Sequence, residues 1–217
     1  MLWRTRRERV AEPSLRREVV GAVEPQPPFY RSPTLKVLLS RFSPDVPHRI
    51  LDLGSVNSAN VEFFSRFSCR LQIVDLLGTA APGAASASHA AEPAQALRQA
   101  LPEGRRAFDV VLAWDVLNYL DPERIRALTT ILLELTASGA QMLAFLFTGK
   151  EIPALPLVFK IVDEETLRYE ERTTATKAGP RYPPAEVERM AAGFSVARSV
   201  LMRHGVQEYL FVRRSEE

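Results

Sequence analysis

Residues 49–76, which read RILDLGSVNSANVEFFSRFSCRLQIVDL, decide the fold. The first six residues are an apolar run closed by Gly54, a pattern typical of a buried parallel strand. The apolar positions from Val61 to Phe67 predict a helix, and the next apolar run, LQIVDL, predicts a second strand. Strand, helix and strand in this order favour a parallel pair joined by a right-handed crossover.

The alternation of strands and helices continues in the second half of the chain. The segment FDVVLAW, residues 108–114, predicts a third clear strand. Asp121 followed by Pro122 predicts the start of a helix, because aspartate caps helices and proline is accepted in their first turn. Ser138 and Gly139 predict a turn into another buried strand, AQMLAFLF.

Two regions modify this simple pattern. Residues 78–93 are rich in Ala, Ser, Gly and Pro and predict a loose loop, which leaves almost no room for a further strand and its helix. The final runs, FSVARSVLM and QEYLFVRR, predict an antiparallel hairpin that turns at His204 and Gly205. The sequence therefore predicts an α/β fold with a Rossmann-like, doubly wound, mostly parallel sheet, a C-terminal antiparallel hairpin and a shortened third-strand region.

The chain of 217 residues is long enough for one α/β domain and a tail. Residues 1–31 are rich in Arg and Pro, and this density of proline predicts a tail and linker without continuous helix or strand. Residues 32–217 are predicted as the folded domain, which opens with a helix capped by Ser32. Residues 149–180 break the alternation, and we interpret them as an inserted hairpin or lid over the site.

The composition indicates a globular protein without a strong overall electrostatic field. Hydrophobic residues make up 46% of the chain and charged residues 25%, which suits a continuous buried core. The net charge is only +2, so the whole chain lacks the basic character of a typical nucleic-acid binder. Arginines crowd the first twenty positions, and we interpret them as part of a solvated arm, with contact to phosphates or to a membrane surface as the alternative.

The number of cysteines and the distribution of apolar residues indicate the cellular compartment of the protein. The single cysteine, Cys69, excludes an intramolecular disulfide and is too little for a zinc site, which fits a reducing compartment. No apolar run approaches the roughly 20 residues needed to cross a bilayer, and the Arg-rich start lacks the apolar core of a signal peptide. We therefore expect a cytoplasmic protein without a metal centre or membrane association, and the sequence leaves its oligomeric state open.

Candidate binding residues lie where three predicted strands end, which is the edge at which open parallel sheets bind ligands. Gly54 lets the backbone approach a ligand closely. A carboxylate at the end of the second strand accepts hydrogen bonds from the vicinal hydroxyls of a ribose. The candidates are Asp52, Gly54, Ser55, Asn57, Asp75, Leu76, Trp114 and Asp115.

Each of these residue types also has a purely structural interpretation. Asp52 caps the following turn in that interpretation, Asp75 caps a helix, and Trp114 is an aromatic side chain of the core. Asn57 either adopts a left-handed conformation or caps the next helix.

The order DLG, IVD and FDVVLAWDVLNYLDP, followed by a strand, a helix and a terminal hairpin, resembles class I S-adenosylmethionine-dependent methyltransferases over about residues 33–214. The resemblance implies S-adenosylmethionine as the cofactor, with Asp52 and Gly54 facing its methionine and ribose parts. It further implies that Asp75 holds the ribose and that Trp114 and Asp115 line the pocket. The chain departs from the family in the first turn, which carries one glycine where the family usually has two or three.

The resemblance predicts methyl transfer to an acceptor that the sequence does not identify, with a small molecule favoured over a nucleic acid. Methyl transfer from a sulfonium needs alignment of the nucleophile with the methyl carbon and sometimes a base, so it requires no catalytic triad. The sequence accordingly identifies no catalytic residue. The single glycine of the first turn supports the alternative, a non-catalytic methyltransferase-like domain that serves as a scaffold or binds a partner.

Overall fold

The computed structural model describes residues 29–43, 45–78, 93–203 and 205–215. Predictions for the Arg-rich segment 1–28, for the loop 79–92 and for His204 lie outside the described residues. In chain order the elements are β1 (Phe29–Arg31), α1 (Pro33–Leu39), β2 (His48–Asp52), α2 (Ser58–Phe64), β3 (Cys69–Ile73), α3 (Pro93–Ala100), β4 (Phe108–Trp114), a 3₁₀ helix (Val116–Tyr119), α4 (Pro122–Leu135), β5 (Thr136–Phe147), β6 (Glu151–Pro153), β7 (Val158–Ile161), β8 (Thr166–Glu170), β9 (Thr176–Ala178), α5 (Pro184–Met190), β10 (Phe194–Leu201) and β11 (Val206–Arg213).

A six-stranded sheet in the order β10-β11-β5-β4-β2-β3 forms the centre of the fold. Strands β2, β3, β4 and β5 are parallel, whereas β11 runs antiparallel to β5 and β10 antiparallel to β11. Among the described residues no strand extends this sheet beyond β3. The mostly parallel sheet and the C-terminal hairpin are therefore confirmed, and the loop from which a shortened third-strand region was predicted lies outside the described residues.

Helices cover both faces of the sheet, as a doubly wound arrangement requires. Helices α3, α4 and α5 enclose one apolar core, which includes Leu51, Val111 and Met142 of the sheet. Helices α1 and α2 enclose the other core, together with Ile50 and Phe145 of the sheet. Neighbouring residues of β2 therefore point into opposite cores, because side chains alternate along a strand.

Polar side chains begin three helices at the predicted positions. The hydroxyl of Ser32 accepts a hydrogen bond from the backbone of α1, and the Asp121 carboxylate accepts one from Arg124 N in α4. Asn57 has a φ of −143° and caps α2 by accepting a hydrogen bond from Asn60 N. Of the two predictions for Asn57, the helix cap is therefore confirmed and the left-handed conformation is wrong.

The structure differs from the local predictions at two points. Residues 29–31, which the proline density assigned to the linker, form β1 and pair with β8. Ser138 and Gly139 lie inside β5 and not in a turn before it. The register between β4 and β5 shifts at this position, and Gly139 takes up the irregularity with a φ of 75°.

The segment 149–180 contributes four short strands that lie outside the central sheet. Strands β7 and β8 pair antiparallel, and β1 joins β8 to complete a three-stranded sheet. Strands β6 and β9 form a separate antiparallel pair. Leu157, Phe159 and Ile161 are buried in the same core as α1 and α2. The segment therefore packs onto the central domain and belongs to its hydrophobic core.

Candidate functional site

The carboxyl ends of β3, β2 and β4 lie side by side, and they bring the candidate residues together. Asp52 ends β2, Trp114 ends β4, and Asp75 follows β3 by two residues. Strand β2 is hydrogen-bonded to both neighbours, so these ends are one strand spacing apart, about 4.8 Å. Burial raises the pKa of Asp52, and the nearby negative charge of Asp75 adds to this rise.

The indole of Trp114 lies directly over the glycine turn. Oδ1 of Asp52 accepts hydrogen bonds from Gly54 N at 2.9 Å and from Trp114 Nε1 at 2.7 Å. A Cβ atom placed on Gly54 would lie 2.6 Å from Cδ1 of the indole, so only glycine fits beneath the ring. Trp114 is 2% exposed and has a φ of 47°, a backbone conformation that non-glycine residues rarely adopt.

Two buried carboxyl groups lie at this edge of the sheet. Burial raises the pKa of Asp52 from 3.8 to about 6, although the bonds from Gly54 and Trp114 oppose the rise. Burial also raises the pKa of Asp115 from 3.8 to about 7, opposed by a hydrogen bond from Leu157 N and by the charge of Lys177. The pKa of Lys177 is itself lowered by burial. The edge therefore holds acids that titrate near neutral pH.

Residues 153–161, here termed the covering segment, close over the ends of β2 and β4. Leu157 N donates to Oδ2 of Asp115 at 2.9 Å. Asn60 donates from Nδ2 to the Phe159 carbonyl at 3.0 Å and accepts at Oδ1 from Ile161 N at 2.8 Å. These backbone groups belong to every second residue from Leu157, just before β7, to Ile161 at its end. The side chains of Asp115 and Asn60 therefore take the place of the backbone partners that a neighbouring strand would supply.

The rings of Phe159 and Trp114 stack almost in parallel, with centroids 5.5 Å apart and planes 6° apart. Phe159 also contacts Phe145 of β5. The hydroxyl of Tyr119 donates to the carbonyls of Pro153 and Leu155, and it fixes the start of the covering segment. Apolar stacking and backbone hydrogen bonds thus hold the same segment.

The remaining candidates lie at the border of this closed region. Oδ1 of Asp75 accepts a hydrogen bond from Gly78 N at 2.7 Å, within a turn at residues 76–78. Leu76 is buried in the core with α3 and α4. Ser55 is partly exposed and its hydroxyl contacts Arg172 Nη1 at 3.5 Å. The Nδ2 of Asn57 donates to the Phe159 carbonyl at 3.3 Å.

Three residues of this region, Asn60, Leu157 and Phe159, are not among the candidates that the sequence predicts. A signal for the covering segment exists in LVFKI, residues 157–161, where apolar residues alternate with Val158 and Lys160 as in a half-buried strand. Nothing in that local pattern indicates that the strand packs against Asn60, which lies 99 residues earlier than Phe159.

The residues fit an adenosylmethionine molecule only in part. Asp75, at the position that the resemblance assigns to the ribose, is half-buried beside the closed region. At the methionine position, the Trp114 indole covers Gly54 and uses Oδ1 of Asp52. Five cavities in the described part of the chain, of 180 to 380 Å³, are lined by residues other than the eight candidates. In this conformation the Trp114 indole fills the space over Gly54 that the resemblance assigns to the methionine part.

Within the described ranges, no group of three or more His, Cys, Asp or Glu side chains is arranged to hold a metal ion. The helices in these ranges are also not long and apolar enough to cross a membrane.

Solved structures share this fold at low sequence identity. An S-adenosylmethionine-dependent methyltransferase from Mesorhizobium loti is 12% identical, with a TM-score of 0.52 over 82% of this chain and 96% of that chain. A protein from Pyrococcus horikoshii OT3 is 13% identical, with a TM-score of 0.50 over 83% and 88% of the two chains. No family model matches the sequence, and no curated protein matches it significantly. The chain therefore has the class I S-adenosylmethionine-dependent methyltransferase fold, as the resemblance predicted.

Proposed function

We propose that the chain is an S-adenosylmethionine-dependent methyltransferase that acts on a small-molecule acceptor in the cytoplasm. The observation that carries the proposal is the placement of Asp52, Gly54 and Asp75 at adjacent strand ends of a methyltransferase fold. Open parallel sheets bind their ligands at this edge. The single cysteine supports the reducing compartment.

In the proposed role, Asp75 accepts hydrogen bonds from the ribose hydroxyls, and Leu76 packs beside the adenosyl group. Asp52, Gly54, Ser55 and Asn57 border the methionine part, while Trp114 and Asp115 lie between cofactor and acceptor. The cofactor supplies an activated methyl group, so the residues of the chain have only to orient the two reactants and exclude water. The proposal assigns no catalytic residue and no metal.

Binding of the cofactor in this proposal requires the Trp114 indole to move away from Gly54. The free-energy cost of opening the covering segment limits how large the movement is. Lifting the covering segment exposes Leu157, Phe159 and Ile161 and breaks about four hydrogen bonds, which together cost roughly 10 kcal/mol. A ligand that binds the already opened state with a Kd of about 1 μM gains only about 8 kcal/mol, which is less than this cost of opening. The movement is therefore local, a rotation of the Trp114 indole away from Gly54 while β7 stays in place.

A non-catalytic methyltransferase-like domain is the second candidate, and one specific observation favours it. Asp52 already has hydrogen-bond partners in Gly54 and Trp114, and Asp115 has one in Leu157. The side chains that the resemblance assigns to the cofactor thus stabilise the fold without it. In this alternative the edge serves to attach the covering segment, and the domain acts as a scaffold or binds a partner.

Isothermal titration of the chain with S-adenosylhomocysteine and with S-adenosylmethionine distinguishes the two candidates. The methyltransferase proposal predicts saturable binding that is weak, with a Kd of about 10 μM to 1 mM, because the indole must leave its stacked position first. Asp75→Ala removes one or two charge-assisted hydrogen bonds and should weaken binding at least about tenfold.

Asp45→Ala is the matched control, because it removes the same charge from an exposed position near the other end of β2. The control should bind like the unmodified chain. Absence of heat with both ligands at millimolar concentration, together with an unchanged melting temperature, would exclude the methyltransferase proposal and support the non-catalytic domain.

A further inference from the structure

Arg49 and Arg70 stand next to each other at the amino ends of β2 and β3. The two residues are register partners in this parallel pair, so their Cα atoms are about 4.8 Å apart. Both side chains are exposed, and in the described part of the chain neither guanidinium forms a hydrogen bond or an ion pair. Like charges on adjacent strands repel each other and destabilise the strand pair. A bound anion would neutralise the two guanidinium groups and remove this repulsion.

The two arginines line a hollow of 230 Å³ together with Gln72 and Glu103. Glu103 is exposed and forms no ion pair with either arginine. Asp109 accepts a hydrogen bond from the backbone N of Arg49 at 2.9 Å and not from its guanidinium. Two guanidinium groups and an amide around one hollow are suited to an oxyanion, because arginine presents several N–H donors in a fixed plane.

Two further hollows continue this basic surface along the same edge of the sheet. One, of 330 Å³, is lined by Arg105, Arg106 and Glu134, with the buried Arg213 donating to the Thr136 carbonyl at its base. Another, of 380 Å³, is lined by Arg41, His48 and Asp109. We term this surface the amino edge; among the described residues it comprises the exposed arginines Arg41, Arg49, Arg70, Arg105, Arg106 and Arg214, with the acids Asp45, Glu103, Asp109 and Glu134. Among the described residues of this edge, six exposed arginines against four acids make it basic, and Glu134 is already paired with Arg98 at 2.6 Å.

The amino edge lies at the opposite ends of the strands from the candidate site. It extends across the starts of β3, β2, β4 and β5 and the end of β11, which is about 19 Å at one strand spacing per step. A single phosphate ion would occupy only one of the three hollows. A polymer with regularly spaced phosphates can contact all three at once. We propose that the amino edge binds the sugar-phosphate backbone of a nucleic acid, with the Arg49–Arg70 hollow as one phosphate site.

This inference does not depend on methyl transfer, and it concerns residues other than the Arg-rich segment 1–28. In the described part of the chain the arginines of the edge lie in loops and at strand ends, so the proposed contacts involve the sugar-phosphate backbone only. Binding should therefore be independent of base sequence and strongly dependent on salt, since each phosphate contact releases counterions.

Fluorescence anisotropy with a 5′-fluorescein-labelled 20-nucleotide poly-U RNA tests the proposal on the full chain between 50 and 300 mM KCl. The double variant Arg49→Gln/Arg70→Gln removes two phosphate contacts. The plot of log affinity against log salt should become shallower by about 1.4, because each contact contributes about 0.7 for a single strand. If both proteins have equal affinity at 1 M salt, this difference weakens binding about 25-fold at 0.1 M.

The matched control is Arg126→Gln/Arg203→Gln, which removes the same charge from two exposed arginines outside the amino edge. The control should retain the slope and the affinity of the unmodified chain. An equal loss in both double variants, or no loss in either, would overturn the proposal, since binding would then follow net charge or the N-terminal segment. Removing Arg49 or Arg70 also relieves repulsion, so the variant should unfold at the same temperature as the unmodified chain or higher.

Inorganic phosphate provides the second arm of the test. At 5 mM phosphate and constant ionic strength, the RNA should remain bound, because it contacts several hollows at once. Complete displacement of the RNA would show a site for a single small anion and would refute a nucleic-acid backbone as the ligand.

Discussion

Replacing Asp115 by asparagine should stabilise the protein, and increasingly so as the pH rises. The carboxyl of Asp115 is 1% exposed, and burial raises its pKa from 3.8 to about 7. Between these two values the folded chain keeps the proton that the unfolded chain has released. Ionisation therefore favours unfolding, and stability falls as pH rises towards 7. Asparagine has nearly the same shape and keeps an oxygen that can accept from Leu157 N.

The magnitude follows from the pKa difference. Each pH unit between pH 5 and pH 7 lowers the stability of the unmodified chain by about 1.4 kcal/mol through this group, so the total is about 3 kcal/mol. The variant has no such contribution. Its advantage over the unmodified chain should therefore grow by about 3 kcal/mol from pH 5 to pH 8 and level off above pH 7.

Urea denaturation at pH 5, 6, 7 and 8 measures this difference directly. Asp121→Asn is the matched control, because it makes the same chemical change at an exposed helix cap where asparagine also caps. The control should not change the dependence on pH. Parallel curves for the unmodified chain and Asp115→Asn would refute the conclusion that Asp115 is a desolvated acid held beneath the covering segment.

Two further variants probe the covering segment. Asn60→Ala removes both hydrogen bonds that Asn60 makes to β7. The Phe159 carbonyl keeps its bond from Asn57 Nδ2, but the buried N–H of Ile161 loses its partner, so urea denaturation should show a loss of about 2 to 4 kcal/mol. A loss below about 0.5 kcal/mol would contradict this anchoring role. Phe159→Leu removes the ring stacked on Trp114, a contact of about 0.5 to 1.5 kcal/mol, so titration should show S-adenosylhomocysteine binding about threefold to tenfold tighter. Weaker binding would indicate that Phe159 supports the cofactor and does not oppose it.

Much of the fold could be predicted from sequence because its determinants are local. The apolar runs at 49–54, 71–76 and 108–114 correspond to the parallel strands that carry the candidate site. Ser32 and Asp121 cap the helices that their positions predict. In each case a few neighbouring residues determine the structure.

The closure of the candidate site could not be predicted, because its contacts join distant parts of the chain. The Asn60 side chain pairs with the backbone of β7 about a hundred residues later, a contact that leaves no periodic signal. The sequence left Trp114 open between a core aromatic and a pocket residue. The structure places its ring in the core and its Nε1 on Asp52, and both depend on a φ of 47° that residue type does not predict.

The fluorescence of Trp114 tests the central claim, which is that this indole occupies the methionine position and yields it to the cofactor. The chain has two tryptophans, so the variant Trp3→Phe leaves Trp114 as the sole indole emitter. On titration with S-adenosylhomocysteine, the account predicts a saturable shift of the emission to longer wavelength, as the buried ring leaves Phe159, whereas adenosine should produce no shift. Emission that stays constant up to millimolar S-adenosylhomocysteine, whether or not the ligand binds, would contradict it.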